Sequence, residues 1–362
     1  MKRLAWGLIL LAALAGCVVG TNDEQDASTG SANVVAGLQR PPQVVLVANR
    51  TSGDVTVIDA STDTVFATIT LPPAANPSRP GYVVYSAALN RIYVGDDAND
   101  RIVALAANDF SFVATLTVPM DVFHMWLNQT QLWAIDRQDK SLVVFDLITN
   151  TRLAVIKIPA DLEALGGVPH DIVVDDQAAY ATILGVGGGG PDVVVKYSTT
   201  TLAEVGRANV GLDPHVILHP TDNRLFVACQ STDNVFVFNR NTLAQLDVIP
   251  ILGGHGVWVP PHGQSLYVTN FPGHVVGGLP GPNPDGLFAV NLNNDTAIGS
   301  LATPVAQAHN LTSTADGSKL YLTHSNAGRT VSIYTVASPT SLPVLAGQVQ
   351  AGTNPFGIVF IP

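Results

Sequence analysis

Cysteine is scarce in this sequence, which contains only Cys17 and Cys229. Cys17 directly follows an apolar amino-terminal segment, and we expect it to be modified there. An intrachain disulfide is then excluded, so the folded domain must be stable through its apolar core and the closure of its fold.

Basic residues are also few. The chain has 17 Lys and Arg against 28 Asp and Glu, a formal charge of −11. Loss of Lys2 and Arg3 with a leader segment leaves 15 basic residues and a charge of −13. A domain with this charge is not expected to bind nucleic acid. The acidic residues are scattered through turns, which favours solubility and argues against adhesion to anionic lipid head groups.

Several short catalytic motifs are absent. The sequence has no Gly-x-Ser-x-Gly, no Cys-x-x-Cys and no His-Glu-x-x-His. The tetraglycine Gly187–Gly190 is not followed by Gly-Lys-Ser or Gly-Lys-Thr, which excludes a phosphate-binding loop of that type. The sequence therefore gives no direct indication of a hydrolase, a dithiol redox protein or a zinc peptidase.

The amino terminus has the pattern of an export signal. Lys2 and Arg3 precede the apolar run Leu4–Ala15, which is too short to span a bilayer. The run ends in Leu14-Ala15-Gly16-Cys17, which resembles the lipobox of bacterial lipoproteins. This resemblance implies that residues 1–16 are a cleaved signal peptide and that Cys17 carries the lipid anchor. An ordinary signal peptide with a chance cysteine is the alternative.

The segment after the cysteine predicts the location of the protein. Val18 follows Cys17, which is similar to lipoproteins sorted to the outer membrane. Residues 17–42 are polar and read as a lipid-anchored flexible tether. We therefore expect an exported cell-envelope lipoprotein, anchored to the outer membrane on its periplasmic or outer side, with its folded domain at residues 43–362.

The folded region has an all-β pattern. Short alternating runs of β-forming residues are separated by Gly, Asn, Asp and Pro, without a long 3.6-residue periodicity. One strand of a recurring unit carries an aromatic residue, at Arg91–Asp96, Gln131–Asp136, Ala178–Ile183, Arg224–Cys229, Ser265–Asn270 and Lys319–His324. A seventh copy, Val44–Asn49, lacks the aromatic. Seven units of four strands predict a seven-bladed β-propeller.

The repeat also carries a family resemblance. Tyr267-Val268-Thr269-Asn270 is the signature of YVTN-repeat propellers, and the similarity covers the folded region. The first unit begins with its second strand, whereas Pro355–Phe360 matches the first strand of the other units. We expect the two ends to complete one blade together, which leaves no free sheet edge at the junction.

Five of the nine histidines occupy one position of the repeat, at the start of the innermost strand of a blade. They are His124, His170, His215, His255 and His309. Innermost strands line the central channel of a propeller, so these imidazoles should form an arc around one mouth. The remaining two blades have Gly81 and Phe356 at this position, and we expect a gap there.

Converging imidazoles predict a transition-metal site for Cu, Fe or Zn, because neutral imidazole binds these metals at roughly 2.0 to 2.2 Å. Three carboxylates close to the arc in sequence are expected to hold the imidazole tautomers as second-shell acceptors: Asp121, Asp171 and Asp213. Additional candidate ligands on the same face are His324, Cys229 and His274. The alternative is that blade duplication copied a histidine that only caps a strand end, in which case no metal binds.

Three functions are compatible with these residues. The first is a lipid-anchored binding module whose mouth takes up a metal ion or a small ligand. The second is a mononuclear Cu or Fe oxidoreductase with axial histidine ligands, by analogy of architecture alone. The third is an interaction scaffold for other envelope proteins, in which the histidines have no role.

Overall fold

The computed structural model describes residues 39–188, 190–270, 286–326 and 328–362, and these residues contain 28 strands and three short helical segments. The strands are β1 (Val44–Asn49), β2 (Asp54–Asp59), β3 (Thr64–Thr70), β4 (Pro80–Ser86), β5 (Arg91–Asp96), β6 (Arg101–Ala106), β7 (Phe112–Thr117), β8 (Met125–Leu127), β9 (Gln131–Asp136), β10 (Ser141–Asp146), β11 (Thr151–Lys157), β12 (Val168–Val174), β13 (Ala178–Leu184), β14 (Val193–Ser198), β15 (Glu204–Asn209), β16 (Pro214–Leu218), β17 (Arg224–Cys229), β18 (Asn234–Asn239), β19 (Gln245–Pro250), β20 (Gly254–Trp258), β21 (Ser265–Asn270), β22 (Gly286–Asn291), β23 (Thr296–Ala302), β24 (Ala308–Ser313), β25 (Lys319–His324), β26 (Thr330–Thr335), β27 (Val344–Gln350) and β28 (Pro355–Ile361). The helical segments are Asp97–Asn99, Ala160–Ala164 and Val186–Gly188. Within the described part of the chain, no helix has the length and apolar character needed to cross a bilayer.

The strands form seven separate four-stranded antiparallel sheets, which are the blades of a propeller. Blade 1 has the order β28-β1-β2-β3, and blades 2 to 7 are β4–β7, β8–β11, β12–β15, β16–β19, β20–β23 and β24–β27. The innermost strands contact one another between blades, as β12 does with β16 and β24 with β28. The predicted seven-bladed β-propeller is confirmed.

The ring is closed by pairing between the two ends of the folded region. β28 pairs with β1 in antiparallel register, with Phe360 opposite Val45 and Ile358 opposite Val47. Arg40 adds a second connection, because its guanidinium donates a hydrogen bond to the carbonyl of Pro362 at 2.9 Å. The C-terminal strand therefore completes the N-terminal blade, as the repeat pattern predicts.

The blades pack through the aromatic residues of their second strands. Tyr93, Trp133, Tyr180, Tyr267 and Tyr321 are all buried and are among the largest side chains of the core. The outer strands alternate between exposed and half-buried residues instead, as β11 and β15 do. Side chains on both faces of an inner sheet must be apolar because neighbouring blades cover both faces.

A threonine near the end of the second strand links blade 6 to blade 7, and another links blade 7 to blade 1, at the channel. Thr269 accepts a hydrogen bond from the backbone N–H of Gly256 at 2.8 Å and donates to the carbonyl of His309 at 2.7 Å. Thr323 likewise donates to the carbonyl of Phe356 at 2.8 Å. The inner strands β20 and β24 bulge at this level, and a bulge redirects the side chain next to it. The repeat thus holds one residue of each of these strands at the channel mouth.

Candidate metal centre

Five imidazoles lie at one mouth of the axial channel. Four of them are consecutive neighbours, with ring centres 4.7 Å apart for His170 and His215, 3.9 Å for His215 and His255, and 4.8 Å for His255 and His309. The ring beside His170 on the other side is Phe123, at 5.2 Å between ring centres. The fifth imidazole, His124, lies next to it in the sequence and contacts Asp171, with Nδ1 3.0 Å from Oδ1. The structure therefore brings together residues that are up to 185 positions apart in the sequence.

Aromatic rings fill the gap that was expected at blades 1 and 2. The ring of Phe356 lies 4.1 Å from that of His309 and 5.3 Å from that of Tyr82. Tyr82 in turn lies 4.0 Å from His124. Gly81 has no side chain to offer, so the next residue along the strand takes its place. The aromatic residue after the glycine was the sequence signal for this closure.

Two imidazoles and one carboxylate face a common point at the mouth. Nδ1 of His170 lies 4.0 Å, and Nε2 of His215 lies 3.9 Å, from Oδ1 of Asp213. These three atoms all lie within 4.8 Å of one another. Donor atoms around a tetrahedral zinc ion are roughly 3.4 Å apart, given bonds of about 2.0 to 2.1 Å. To hold an ion, each nitrogen would have to approach the carboxylate by about half an ångström, and the two nitrogens would have to approach each other by up to about 1.4 Å.

The two nitrogens that face Asp213 lack hydrogen-bond partners among the described residues. The other nitrogen of each imidazole has a neighbour that can hold its proton. Nδ1 of His215 lies 3.5 Å from Oδ2 of Asp171, and the nearby backbone of Pro214 favours the protonated ring of His170 and so raises its pKa, against the larger opposing effect of burial. Such outer contacts leave the lone pair of the inner nitrogen available to a metal.

Asp171 is a buried carboxylate inside the arc. Its oxygens accept hydrogen bonds from the backbone N–H groups of Ile172 at 2.6 Å and of Val216 at 3.0 Å. Nδ1 of His124 lies 3.0 Å from Oδ1, at an angle that does not make a hydrogen bond. Burial opposes ionisation of Asp171, but His124, His215 and the N–H of Val216 together lower its pKa to about 2. The group is therefore a carboxylate with a fixed orientation, and its second-shell role stays a prediction.

Four of the five imidazoles, those of His124, His170, His255 and His309, are neutral near pH 7. Burial, and secondarily the neighbouring His215, lower the pKa of His170 to about 3. Burial similarly lowers the pKa of His309 to about 3 and those of His124 and His255 below the usual range. Neutral imidazole is the form that binds metals.

Asp213 lies within the group of candidate ligands. It was expected to support a histidine from outside the coordination sphere, but its carboxylate lies between two imidazole nitrogens. The backbone of Asp213 has φ of 58°, a left-handed conformation that Asp tolerates better than most residues. This turn immediately before β16 presents the carboxylate to the mouth.

Two members of the arc are held by side-chain amides. Nδ1 of His255 lies 2.6 Å from Oε1 of Gln230, so it donates to that oxygen. Nδ1 of His309 lies 2.9 Å from Nδ2 of Asn310, so it accepts from that amide. With Nδ1 as an acceptor, His309 carries its proton on Nε2, which removes the lone pair that a metal would need.

His324 and Cys229 do not join the site. Nδ1 of His324 lies 3.0 Å from the carbonyl of Ala306 and Nε2 lies 2.8 Å from the hydroxyl of Ser332, so both nitrogens are engaged. Cys229 is buried within an apolar cluster between blades. Burial raises the pKa of its thiol to about 12, so the thiol is protonated near pH 7.

Asp121 has a different partner from the one predicted. Its carboxylate binds Nε of Arg137 at 3.1 Å, instead of a ring imidazole. Sequence proximity to His124 was misleading because the chain turns between the two residues and the long side chain of Arg137 reaches Asp121 first. The remaining two candidates, Cys17 and His274, lie outside the described residues.

The channel below the arc is narrow. A cavity of about 60 Å³ lies there, lined by residues that include Tyr82, His124, Asp171 and His255. Sites for organic ligands usually have volumes of about 300 to 1,000 Å³, whereas a few water molecules fit the smaller space. An organic ligand would therefore meet the arc from the outer side of the mouth.

Comparisons with known proteins support the architecture. No family model matches the chain, and neither does any curated protein sequence. Solved structures do match along most of its length. A periplasmic gluconolactonase of Pseudomonas aeruginosa has 14% identity and a TM-score of 0.67, over 88% of this chain and 99% of that one. A putative 6-phosphogluconolactonase of Bacteroides fragilis has 16% identity and a TM-score of 0.67 over 89% and 98%.

A third solved structure, of a protein from Lactobacillus plantarum, has 17% identity and a TM-score of 0.70, over 89% of this chain and 100% of that one. The chain is a seven-bladed β-propeller. Identities at this level show the fold and nothing finer, because one propeller architecture carries many unrelated functions.

Proposed function

We propose that this protein is an exported, lipid-anchored propeller of the YVTN-repeat type whose mouth binds a divalent transition metal through His170, Asp213 and His215. One observation carries the metal proposal. Among the described residues, Nδ1 of His170 and Nε2 of His215 are buried without hydrogen-bond partners and face the same carboxylate. An unpaired buried polar atom costs about 1 to 3 kcal/mol, and one bound ion would remove this cost at both nitrogens.

The ligand set limits the choice of metal. Two imidazoles and one carboxylate suit Zn, Fe or Cu, and are poor ligands for Ca or Mg, which prefer oxygen. Three protein ligands leave at least one coordination position for water or a small ligand. We therefore favour reversible binding of a metal, or of a small ligand through the metal, as the function.

A mononuclear Fe or Cu oxidoreductase is the second candidate. The observation that favours it is the same ligand set, because two histidines and one carboxylate with open positions also hold Fe(II) in oxygenases. A paramagnetic resonance or visible signal that changes with reductant would support redox chemistry. A colourless, redox-silent metal would support simple binding.

The location rests on sequence features. The lipobox-like Leu14-Ala15-Gly16-Cys17 and the polar residues 17–42 support an outer-membrane lipoprotein. The similar fold of a periplasmic gluconolactonase is consistent with a propeller outside the cytoplasm. Neither finding bears on whether envelope proteins are partners.

Metal analysis of the full chain, purified without a histidine tag, tests the site. We expect about one transition-metal ion per chain, or uptake of one Zn²⁺ after treatment with a chelator. His170→Gln and Asp213→Asn should each weaken Zn²⁺ binding at least tenfold, which is about 1.4 kcal/mol. Isothermal titration calorimetry measures both affinities.

His309→Gln is the matched control. His309 lies in the same arc and is buried, but its Nδ1 is occupied by Asn310, so its replacement should change Zn²⁺ affinity less than twofold. Thermal melting of every variant reports whether it is folded. A wild-type protein that contains no metal and does not respond to Zn, Cu or Fe(II) would contradict the proposal and favour a scaffold.

A further inference from the structure

The half of the mouth without histidines carries guanidinium groups over aromatic rings. The guanidinium carbon of Arg50 lies 4.5 Å from the ring centre of Phe356, and that of Arg137 lies 3.6 Å from the ring centre of Phe123. Both rings contact Tyr82, at 5.3 and 5.9 Å between ring centres. The two cations therefore flank the part of the arc where an aromatic residue replaces histidine.

Buried carboxylates hold these cations, and a third one, in place. Asp97, whose side chain is 1% exposed, binds Nη2 of Arg50 at 2.5 Å and also binds Nε of Arg79. Asp121 binds Nε of Arg137 at 3.1 Å. Fixed in this way, the three guanidinium groups are preorganised before any ligand arrives.

Each of these arginines has N–H groups that are not used by its carboxylate partner. A guanidinium has five N–H groups, and the carboxylate contacts use only one nitrogen of each. In the described ranges the other nitrogens of the three make no hydrogen bond to protein. The side chains of Arg50, Arg79 and Arg137 are 20%, 54% and 37% exposed, so a ligand at the mouth can reach them.

The local charge is balanced rather than strongly positive. Asp97 and Asp121 offset two of the three cations, and Asp96 is paired with Arg101 at 2.9 Å. Asp100 is also nearby. Burial raises the pKa of its carboxyl, and so do the negative charges of Asp121, Asp97 and Asp96. Attraction of an anion would therefore depend on the directed N–H donors, which match the two oxygens of a carboxylate or phosphate. A metal ion held on the histidine half would add a second attachment point.

We propose that Arg50, Arg79 and Arg137 form an anion subsite at the mouth, which binds the carboxylate or phosphate group of a small organic ligand. The aromatic rings beneath them provide the floor of the subsite, and another group of the same ligand reaches the open position of the metal. The metal contact rests on the proposed function, whereas the arginine contact does not.

Calorimetric titration of the full chain with inorganic phosphate and, separately, with succinate tests the subsite. We expect saturable binding of at least one of the two to the chelator-treated protein, and tighter binding after loading with Zn²⁺. Preference for phosphate would assign a phosphorylated ligand, and preference for succinate would assign a carboxylic acid. The variant Arg79→Gln/Arg137→Gln should bind the preferred probe at least tenfold more weakly, in both metal states.

Arg207→Gln is the matched control, since Arg207 is 32% exposed and paired with Asp161 and Glu204 far from the mouth. It should bind like the wild type. If the double variant melts early, Arg79→Gln alone, at the most exposed of the three positions, replaces it.

Failure to bind either probe, or equal binding by the arginine variants, would overturn the subsite. Probe binding that requires Zn²⁺ and is lost only in His170→Gln would also overturn it, because the anion would then be held by the metal alone. A wild type that binds the probes but no metal would leave the subsite supported and contradict only the proposed metal site.

Discussion

The ring histidines differ from one another in the partner that each nitrogen has. His215 has a carboxylate on either side, Asp171 near Nδ1 and Asp213 near Nε2. His255 and His309 have side-chain amides instead. Because the lone pair of a ring nitrogen is free only when the other nitrogen holds the proton, these contacts decide which imidazoles can bind a metal. They favour His170 and His215.

Burial of neutral imidazoles makes the protein sensitive to acid. His170 and His309 have their pKa lowered to about 3 in the folded protein, whereas an imidazole in the unfolded chain takes up its proton near pH 6.5. As the pH falls from 6.5 towards 3, protons bind the unfolded chain only, and the free energy of unfolding decreases. The decrease is at most about 1.4 kcal/mol per pH unit for each histidine.

We predict that the urea concentration at the unfolding midpoint of the metal-free protein is highest above pH 6.5 and is lower at pH 5. His309→Gln should make the midpoint depend less steeply on pH, because the contribution of one buried imidazole is lost. Asp171 contributes to the free energy of unfolding over a lower pH range, because its pKa of about 2 lies below the value of about 3.9 in an unfolded chain. Its stabilisation is present above pH 4 and lost towards pH 2. A midpoint that does not change between pH 7 and 5 would contradict neutral buried imidazoles.

The turns that lead into the inner strands share one backbone conformation. Asp213, Gly253, Gln307 and Asn354 all have φ between 57° and 62°, and each stands two residues before a ring at the mouth, which is His215, His255, His309 or Phe356. A carboxylate from the preceding blade holds two of these turns. Asp192 accepts from the N–H of Asp213, and Asp233 from that of Gly253, both at 2.8 Å.

These two carboxylates give a matched pair of variants. Asp192→Asn should weaken Zn²⁺ binding by about tenfold, because it loosens the turn that presents a ligand and outer contacts of this kind are worth 10- to 100-fold in affinity. Asp233→Asn changes the equivalent bond in the next blade, where Gly253 offers no ligand, and should leave Zn²⁺ affinity unchanged. Calorimetry on both variants checks the prediction. Equal affinities would show that the Asp192 contact only stabilises the fold.

The repeat allowed the blades, the closing strand and the arc to be predicted, because strand alternation and a shared position in each unit are local properties of the sequence. The nitrogen partners were not predictable, since they depend on residues of other blades such as Gln230 and Asp171. Tyr82 was missed because the repeat aligns Gly81 with the histidines. Asp213 was assigned an outer role because nothing in the sequence reveals the turn that brings it between two imidazoles.

For the whole molecule, closure of the ring depends on one strand. Deletion of residues 354–362 removes β28 and exposes the inner edge of β1, whose residues are all buried. We predict a loss of solubility or a fall in melting temperature of more than 10 °C, roughly the effect of several kcal/mol in a domain of this size. Circular dichroism during heating measures the change. Normal melting of the truncated protein would contradict a ring held by this strand.

The proposed lipid anchor depends on one residue, Cys17. We predict that the full chain incorporates radiolabelled palmitate in a bacterial host and fractionates with outer membranes. Cys17→Ser should abolish the label and release or retard the protein. Cys229→Ser is the control and should keep the label, because Cys229 is buried in the core. Labelling of Cys17→Ser would contradict the lipobox interpretation.

The candidate ligands come from two different blades. His170 is part of blade 4, whereas Asp213 and His215 belong to the start of blade 5, and no backbone ladder joins the two sheets. An ion bound there would connect them through coordination bonds. Separation of these two blades would then require release of the ion, so a loaded ring under mechanical or thermal stress would open first at one of its other junctions.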